Sequence, residues 1–280
     1  MGRRLEDLSA SVLTNMLDGF FKQRGIEYYA VLDYKDCRET ARHIIERESF
    51  TPASVIIYLM PYHVSGAENM SLYATSLDYH LAIGEVNNAL REHLQEHFAG
   101  SGFKGYGDHS PIDERSAALI TSLGVLGRNG LLINERYGSY VFIGDALTDI
   151  PAELLGKSPI SEVKHCEGCG KCLASCPTGI LRAQGDFCLS MATQKKGELT
   201  EDEISLMRKV NTVWGCDLCQ SVCPHNRTPL VTPIDFFKKE RITCLTSEIL
   251  ASMSKEELRR RAFGWRGRAV PERNLSLLGY

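Results

Sequence analysis

Cys166-Glu167-Gly168-Cys169-Gly170-Lys171-Cys172-Leu173-Ala174-Ser175-Cys176-Pro177 is the stretch on which the reading of this chain turns. Three cysteines follow at two-residue gaps, and a fourth comes three residues later against a proline. A second group, Cys216-x2-Cys219-x3-Cys223-Pro224, repeats the pattern one cysteine short, and Cys188 lies upstream to complete it. Eight of the ten cysteines therefore fall between Cys166 and Cys223, leaving Cys37 and Cys244 as bystander thiols. Disulfide-stapled domains are usually small, secreted and cysteine-dense throughout. This chain has 280 residues, and Met1 to Leu17 alternates charge with apolar residues without a signal-peptide core, so a cytoplasmic protein is expected. Clustered thiols in that setting read as metal ligands.

The C-x2-C-x2-C-x3-C-P run is the spacing of bacterial two-cluster ferredoxins, in which the fourth cysteine serves the other cluster. Three close cysteines let a loop wrap one cube of iron and sulfide, and Gly168 and Gly170 supply the permissive backbone. Eight thiolates suffice for two 4Fe-4S clusters. The expected ligand sets are Cys166, Cys169, Cys172 and Cys223 for one, and Cys176, Cys188, Cys216 and Cys219 for the other. Zinc also uses C-x2-C pairs, but seldom the triple run or the Cys-Pro that closes both groups. The module reads as a one-electron relay.

Around the relay, 43% hydrophobic and 24% charged residues make an ordinary globular composition, which excludes a disordered chain or a rod. No apolar run approaches the roughly 18 residues of a membrane helix. A formal charge of −3 argues against a uniformly basic nucleic-acid coat. Leu5, Leu8, Val12, Leu13, Met16, Leu17, Phe20 and Phe21 predict an amphipathic helix. Strands are expected at Tyr28–Leu32, Ser54–Met60, Phe103–Tyr106 and Tyr140–Ile143, and helices over 38–48 and over 71–98, the latter broken at Gly84. The expected fold is α+β, a layered front domain at 1–155, then a ferredoxin-like double-cluster module at 156–228 and a helical tail at 229–280.

Within the front domain, Ser110-Pro111-Ile112-Asp113 reads as a helix start with Ser110 as N-cap. Asp108 then lies in a loop, where its carboxyl either faces a cavity or helps to cap the helix. Gly124 to Gly130 is glycine-rich but fits no phosphate-loop pattern. In the tail, Lys255, Arg259, Arg260, Arg261, Arg266, Arg268 and Arg273 outnumber Glu256, Glu257 and Glu272, with Phe263 and Trp265 among them. That is either a surface for phosphates and unpaired bases or a solvated helix end with two aromatics packed inward.

The order of motifs resembles that of epoxyqueuosine reductases, cobalamin-dependent iron–sulfur enzymes of tRNA modification. The likeness rests on Asp108, Pro111, Glu114 and Arg115, on Leu123 to Ile133, on Gly138-Ser139-Tyr140-Val141-Phe142-Ile143-Gly144, and on Tyr73, Ala74, Asp78, Tyr79 and His80. It extends through Cys188-x-Ser190, Gly215-Cys216-Asp217-x-Cys219-Gln220, Arg273-Asn274 and Leu278-Gly279. Val125 stands where the family usually has tryptophan, the first fifty residues follow the family loosely, and the form expected is a short one lacking the helical-repeat extension. The resemblance implies a bound cobalamin, reductive removal of the epoxide oxygen of epoxyqueuosine in tRNA, and Asp108 as proton donor, its pKa raised by burial beside the corrin. It implies corrin contacts at Asp108, Leu132, Ile143, Ser190, Cys216 and Asp217. The partners it implies are tRNA and an external donor such as a flavodoxin or ferredoxin, with a monomeric protein and no membrane. A corrinoid reductase for another substrate, like the reductive dehalogenases, and a ferredoxin-type protein without corrinoid are the alternatives.

Overall fold

The computed structural model describes residues 10–280, with side chains from Met16 onward. Leu5 and Leu8 of the expected first helix lie outside the described residues. The first half of the chain runs α1 (Ala10–Lys22), β1 (Tyr29–Asp33), α2 (Arg42–Ile45), β2 (Ser54–Pro61), α3 (Tyr79–His97), β3 (Phe103–Tyr106), α4 (Glu114–Ile120), β4 (Val125–Leu126), β5 (Leu132–Ile133) and β6 (Val141–Thr148). The second half adds only short helices: α5 (Lys171–Ser175), α6 (Leu189–Thr193), α7 (Glu201–Val210), α8 (Leu218–Ser221), α9 (Ser247–Ser252), α10 (Lys255–Arg259) and α11 (Ala269–Leu278). Contacts group the residues into two compact units that interleave along the chain. Unit 1 takes the chain up to Pro61, Ala82–Leu126 and Val141–Lys164; unit 2 takes Tyr62–Leu81, Gly127–Tyr140 and His165–Tyr280.

Unit 1 is built on a four-stranded sheet in the order β1-β2-β6-β3, every pair antiparallel. The α+β expectation holds. All eight residues of β2 are buried, as an apolar run in an inner strand should be. Strand β6 reaches Thr148 rather than ending near Ile143. Gly144 and Asp145 are poor strand formers, but tertiary contacts override that preference. The Tyr58 ring fills the space over Gly144, so that a Cβ there would lie 2.4 Å from it, and Asp145 pairs across to both Ile57 and Tyr106. From α1, Leu17 and Phe21 are fully buried, and Phe21 stacks on Tyr29 at 4.6 Å.

Two expected helices change shape. Helix α3 passes straight through Gly84; the break comes earlier, where a separate 3-10 turn (Leu72–Ala74) is followed by Asp78. The Asp78 carboxylate accepts from the His80 amide at 2.9 Å and so starts α3. The helix expected over 38–48 shrinks to Arg42–Ile45. Its front is pulled into extended pairing: Thr40 and Ala41 amides donate to the Pro111 carbonyl, and the Asp113 amide donates to that of Arg38.

Unit 2 has little regular structure to share its buried polar groups. Trp214, Phe263, Leu245 and Leu275 form its main core, with no exposed surface. Buried Asn side chains tie the loops instead. Asn69 exchanges two bonds with the Leu245 backbone, and Asn274 donates to the carbonyls of Thr193 and Val213. Each fixes two remote segments at once.

Candidate functional site

In unit 2 the first cysteine run is shaped by glycine. Gly168 and Gly170 take φ of +72° and +76°, a left-handed backbone that other residues adopt at a cost. Gly170 is the N-cap of α5, and Cys176 leaves its far end in extended conformation. Cys166, Cys169, Cys172 and Cys223 line one pocket, together with Arg128, Asn129 and His225. Cys223 thus comes from the second run to join three cysteines of the first. Cys216 lies within electrostatic reach of Cys188 and Cys176, and Cys219 within reach of Cys216 and Cys188.

Burial pushes the Cys216 thiol up to about 11, with Asp217, Cys188 and Cys176 adding to it. Burial likewise takes Cys219 to about 12, and the Cys172 thiol is raised by burial and by Cys166 and Cys169. At Cys176 burial is outweighed by hydrogen bonds from Thr178 and the amides of Leu181, Thr178 and Gly179, and its pKa falls. Thiols gathered where ionisation is opposed by burial and by neighbouring sulfur suit bound cations, which remove that penalty. The donor set fits iron–sulfur clusters.

A buried polar chain lies in the same unit and has no signature in spacing. Asn226 donates to Ser139 at 2.8 Å, Ser139 to Gln220 at 2.8 Å, and Gln220 to Asp217 at 3.1 Å. The Asp217 carboxylate also accepts from the Ser71 hydroxyl at 2.5 Å and the Leu72 amide at 2.6 Å. Burial raises the Asp217 pKa against these bonds. Gly138 is required beside the chain: its φ is +59°, and a Cβ there would come within 1.9 Å of Asn226 Oδ1. Sequence reasoning missed this chain, apart from Asp217.

In unit 1, Asp108 follows β3 in a three-residue turn. The His109 amide donates to the Gly107 carbonyl at 2.9 Å, and Asp108 between them has φ +67°. That is a γ-turn of the rarer, strained hand. Ser110 is not the N-cap of α4. Asp113 takes that role, accepting from the Ser116 amide at 3.0 Å, because the chain from Ser110 to Asp113 is drawn into pairing with 38–41. The Asp108 side chain is exposed rather than buried.

Of the other expected corrin contacts, Ile143 and Ser190 are half-exposed, and Leu132 is buried at 4% exposure, so Leu132 could offer little but backbone. Asp217 is committed to the polar chain. In the tail, four of the seven cations hold structure. Arg261, Arg268 and Arg273 donate to backbone carbonyls of Glu240, of Leu250 and Met253, and of Lys195 and Gly197. Arg260 pairs with Glu240. Phe263 is core, whereas Trp265 is 54% exposed with the Arg266 guanidinium 3.6 Å above its ring.

Residues 165–226 match the family described as a 4Fe-4S double cluster binding domain. Over 163 residues the chain is 36% identical to an epoxyqueuosine reductase of Pseudomonas aeruginosa, covering 56% of this chain and 44% of that protein. With the Escherichia coli epoxyqueuosine reductase it shares 36% over 176 residues, 60% and 44% of the two chains. The chain is similar to epoxyqueuosine reductases over these segments. It spans about half the length of the curated relatives it matches. The fold agrees: an epoxyqueuosine reductase from Streptococcus thermophilus overlays with a TM-score of 0.74 at 22% identity, over 94% of this chain and 79% of the other. Another such enzyme, solved with an epoxyqueuosine-modified tyrosine tRNA stem loop, also overlays at 0.74 and 22%, over 96% and 81%. Among the described residues no helix is long and apolar enough to cross a membrane.

Proposed function

We propose that this chain is a cytoplasmic, cobalamin-dependent iron–sulfur oxidoreductase that reduces the epoxide of epoxyqueuosine in tRNA to give queuosine. The observation that carries the reading is identity of 31–36% to epoxyqueuosine reductases, in a chain whose residues 165–226 match a 4Fe-4S double cluster binding domain. Residues 1–155 would house the chemistry, 156–228 the relay, and 229–280 a supporting tail. Cys166, Cys169, Cys172 and Cys223 would hold one cluster, and Cys176, Cys188, Cys216 and Cys219 the other.

Opening an epoxide to an alkene takes two electrons and two protons and releases the oxygen as water. A flavodoxin or ferredoxin would deliver the electrons one at a time to the clusters of a monomeric enzyme. A bound cobalamin would supply a low-valent metal able to act on the epoxide, the hard chemistry that cofactors carry. By the resemblance, Ile143 and Ser190 would each contact the corrin, Leu132 and Cys216 would contribute backbone, and Asp217 would hold Ser71 and Gln220 in place. Asp108 would give a proton to the departing oxygen. Its exposure lets it reach a substrate.

Anaerobic reconstitution with iron, sulfide and cobalamin, then assay on epoxyqueuosine-containing tRNA, tests the reading. Conversion to queuosine is expected, and Asp108→Asn should keep clusters and cobalamin while losing about 100-fold or more in turnover. A loaded, cluster-replete protein with no activity on that tRNA would refute the substrate, and one that takes up no cobalamin would refute the cofactor.

A further inference from the structure

Asp145 is the one acidic side chain of unit 1 with no exposed surface among the described residues, and no part of the proposed chemistry uses it. It sits on the inner strand β6, opposite Tyr106, the last residue of β3. Its Oδ2 accepts from the Ser110 hydroxyl at 2.7 Å, and that hydroxyl in turn receives the Ile112 amide at 3.4 Å. Its Oδ1 is buried with no hydrogen-bond partner. Tyr106 and Ser110 are the residues on either side of Gly107-Asp108-His109. One residue therefore grips both ends of the strained turn, by its backbone at the entry and by its carboxyl at the exit.

A non-glycine residue at the centre of such a turn persists only when its surroundings over-determine it. The entry is held firmly. Asn87 Nδ2 donates to the carbonyls of both Tyr106 and Asp145 at 3.3 Å, locking the β3–β6 rung. Further along, Pro111 is held by the amides of Thr40 and Ala41. Between that clamp and the turn, Ser110 is the side chain that ties the exit down, and Asp145 is its partner. We propose that Asp145 is the positioning residue of the Asp108 turn, bracing it through Ser110 so that the Asp108 carboxyl is presented in one fixed place.

Burial pushes the Asp145 carboxyl up to about 7, against the Ser110 bond and with help from the Glu114 charge. The titratable groups around it are Glu114 on α4, Cys37 in the 3-10 turn Tyr34–Asp36 and its cap, Tyr58 on β2 and Tyr106 on β3. None of these is a cation, so the Ser110 hydroxyl alone is set against the burial of a carboxylate with a bare Oδ1. A neutral acid and an amide are therefore close equivalents at this site, which makes Asp145→Asn the conservative control.

Hydrogen exchange on the full chain reads the brace without any activity. Ser110→Ala and Asp145→Ala should speed exchange of the amides of residues 108–110 by about tenfold or more, while those of β1 and β2 stay as in wild type. Asp145→Asn, whose side-chain carbonyl still accepts from Ser110, should exchange like wild type. If Asp145→Ala fails to fold, Ser110→Ala alone carries the measurement. Unchanged exchange at 108–110 in Ser110→Ala overturns the proposal, and so does loosening spread evenly over the sheet, which would make the pair ordinary core. The consequence for turnover rests on the acid role proposed for Asp108. With the loaded enzyme, Ser110→Ala and Asp145→Ala should lower kcat with KM held, and Asp145→Asn should keep the wild-type kcat. If wild type proves inactive on epoxyqueuosine tRNA, the proposed function fails and the exchange data still decide the brace.

Discussion

The cysteine loops of unit 2 and the Asp108 turn of unit 1 are both built from awkward backbone, but they are held in different ways. At the cysteines the left-handed positions are glycines, Gly168 and Gly170, so the loop takes its shape with little strain and metal would finish it. At the turn the left-handed residue is Asp108 itself, and the strain is contained by Asp145, Asn87 and the 38–41 segment from elsewhere in the unit. The first device is local and tolerant of its surroundings. The second depends on remote partners.

The largest expected effect belongs to the metal side. Cys223→Ala should remove the first-run cluster although it lies in the second run, and iron should fall from about eight to about four per chain in anaerobic preparations. A variant that keeps the first-run cluster, told apart from the second by its spectrum, and loses the other would mean that the ligand sets do not cross between the runs. Next comes the buried polar chain. Gly138→Ala forces a side chain onto Asn226 and strains a left-handed backbone, which should cost about 2–4 kcal/mol, seen as a lowered melting temperature. Gly170→Ala, with open space around its Cα, should cost only about 1 kcal/mol of backbone strain. Equal losses would erase the difference between a packed and an open glycine.

That difference also governs what could be read from the chain alone. Spacing brought out the cysteine runs and the meeting of Cys223 with Cys166, Cys169 and Cys172, since loop geometry of this kind is written in consecutive residues. Apolar runs located β1 and β2 for the same reason. What stayed hidden depends on pairing at a distance. Ser110 looks like an N-cap until the 38–41 segment pairs across 110–113 and moves the helix start to Asp113. Asp145 and Gly144 look like the end of a strand until Tyr58 and Ser110 accommodate them. The arginines of the tail look like a basic patch until their carbonyl partners are seen.

Asp145 predicts a pH effect intermediate in size. A buried carboxyl whose folded pKa is raised to about 7 favours the folded state fully below the unfolded value near 4, and that contribution is lost as pH rises through 7. Wild type should therefore lose about 2 kcal/mol between pH 5.5 and 8 relative to Asp145→Asn, measured by denaturant unfolding at each pH. Parallel curves for the two proteins would place the carboxyl at an ordinary pKa. Cys37, Glu114, Tyr58 and Tyr106 are common to both, so the difference isolates Asp145.

The smallest expected effect concerns the tail, where the distinction between structural and available residues is sharpest. Arg261, Arg268 and Arg273 are spent on carbonyls and Arg260 on Glu240, so replacing them would disturb folding before it disturbed any nucleic acid. Lys255 and Arg259 are exposed on α10, and Arg266 lies over the exposed ring of Trp265. If tRNA is held here, each phosphate contact contributes about one unit to the slope of log affinity against log salt. Lys255→Gln, Arg259→Gln and Arg266→Gln together should then flatten the slope by up to about three units, with cluster content and melting temperature unchanged. Trp265→Ala should weaken binding without touching the slope, because a stacked base releases no counterions. If neither set alters tRNA affinity, Trp265 and its neighbours only cover the Gln194 side chain, which accepts the indole N–H at 3.2 Å, and the tRNA is gripped elsewhere.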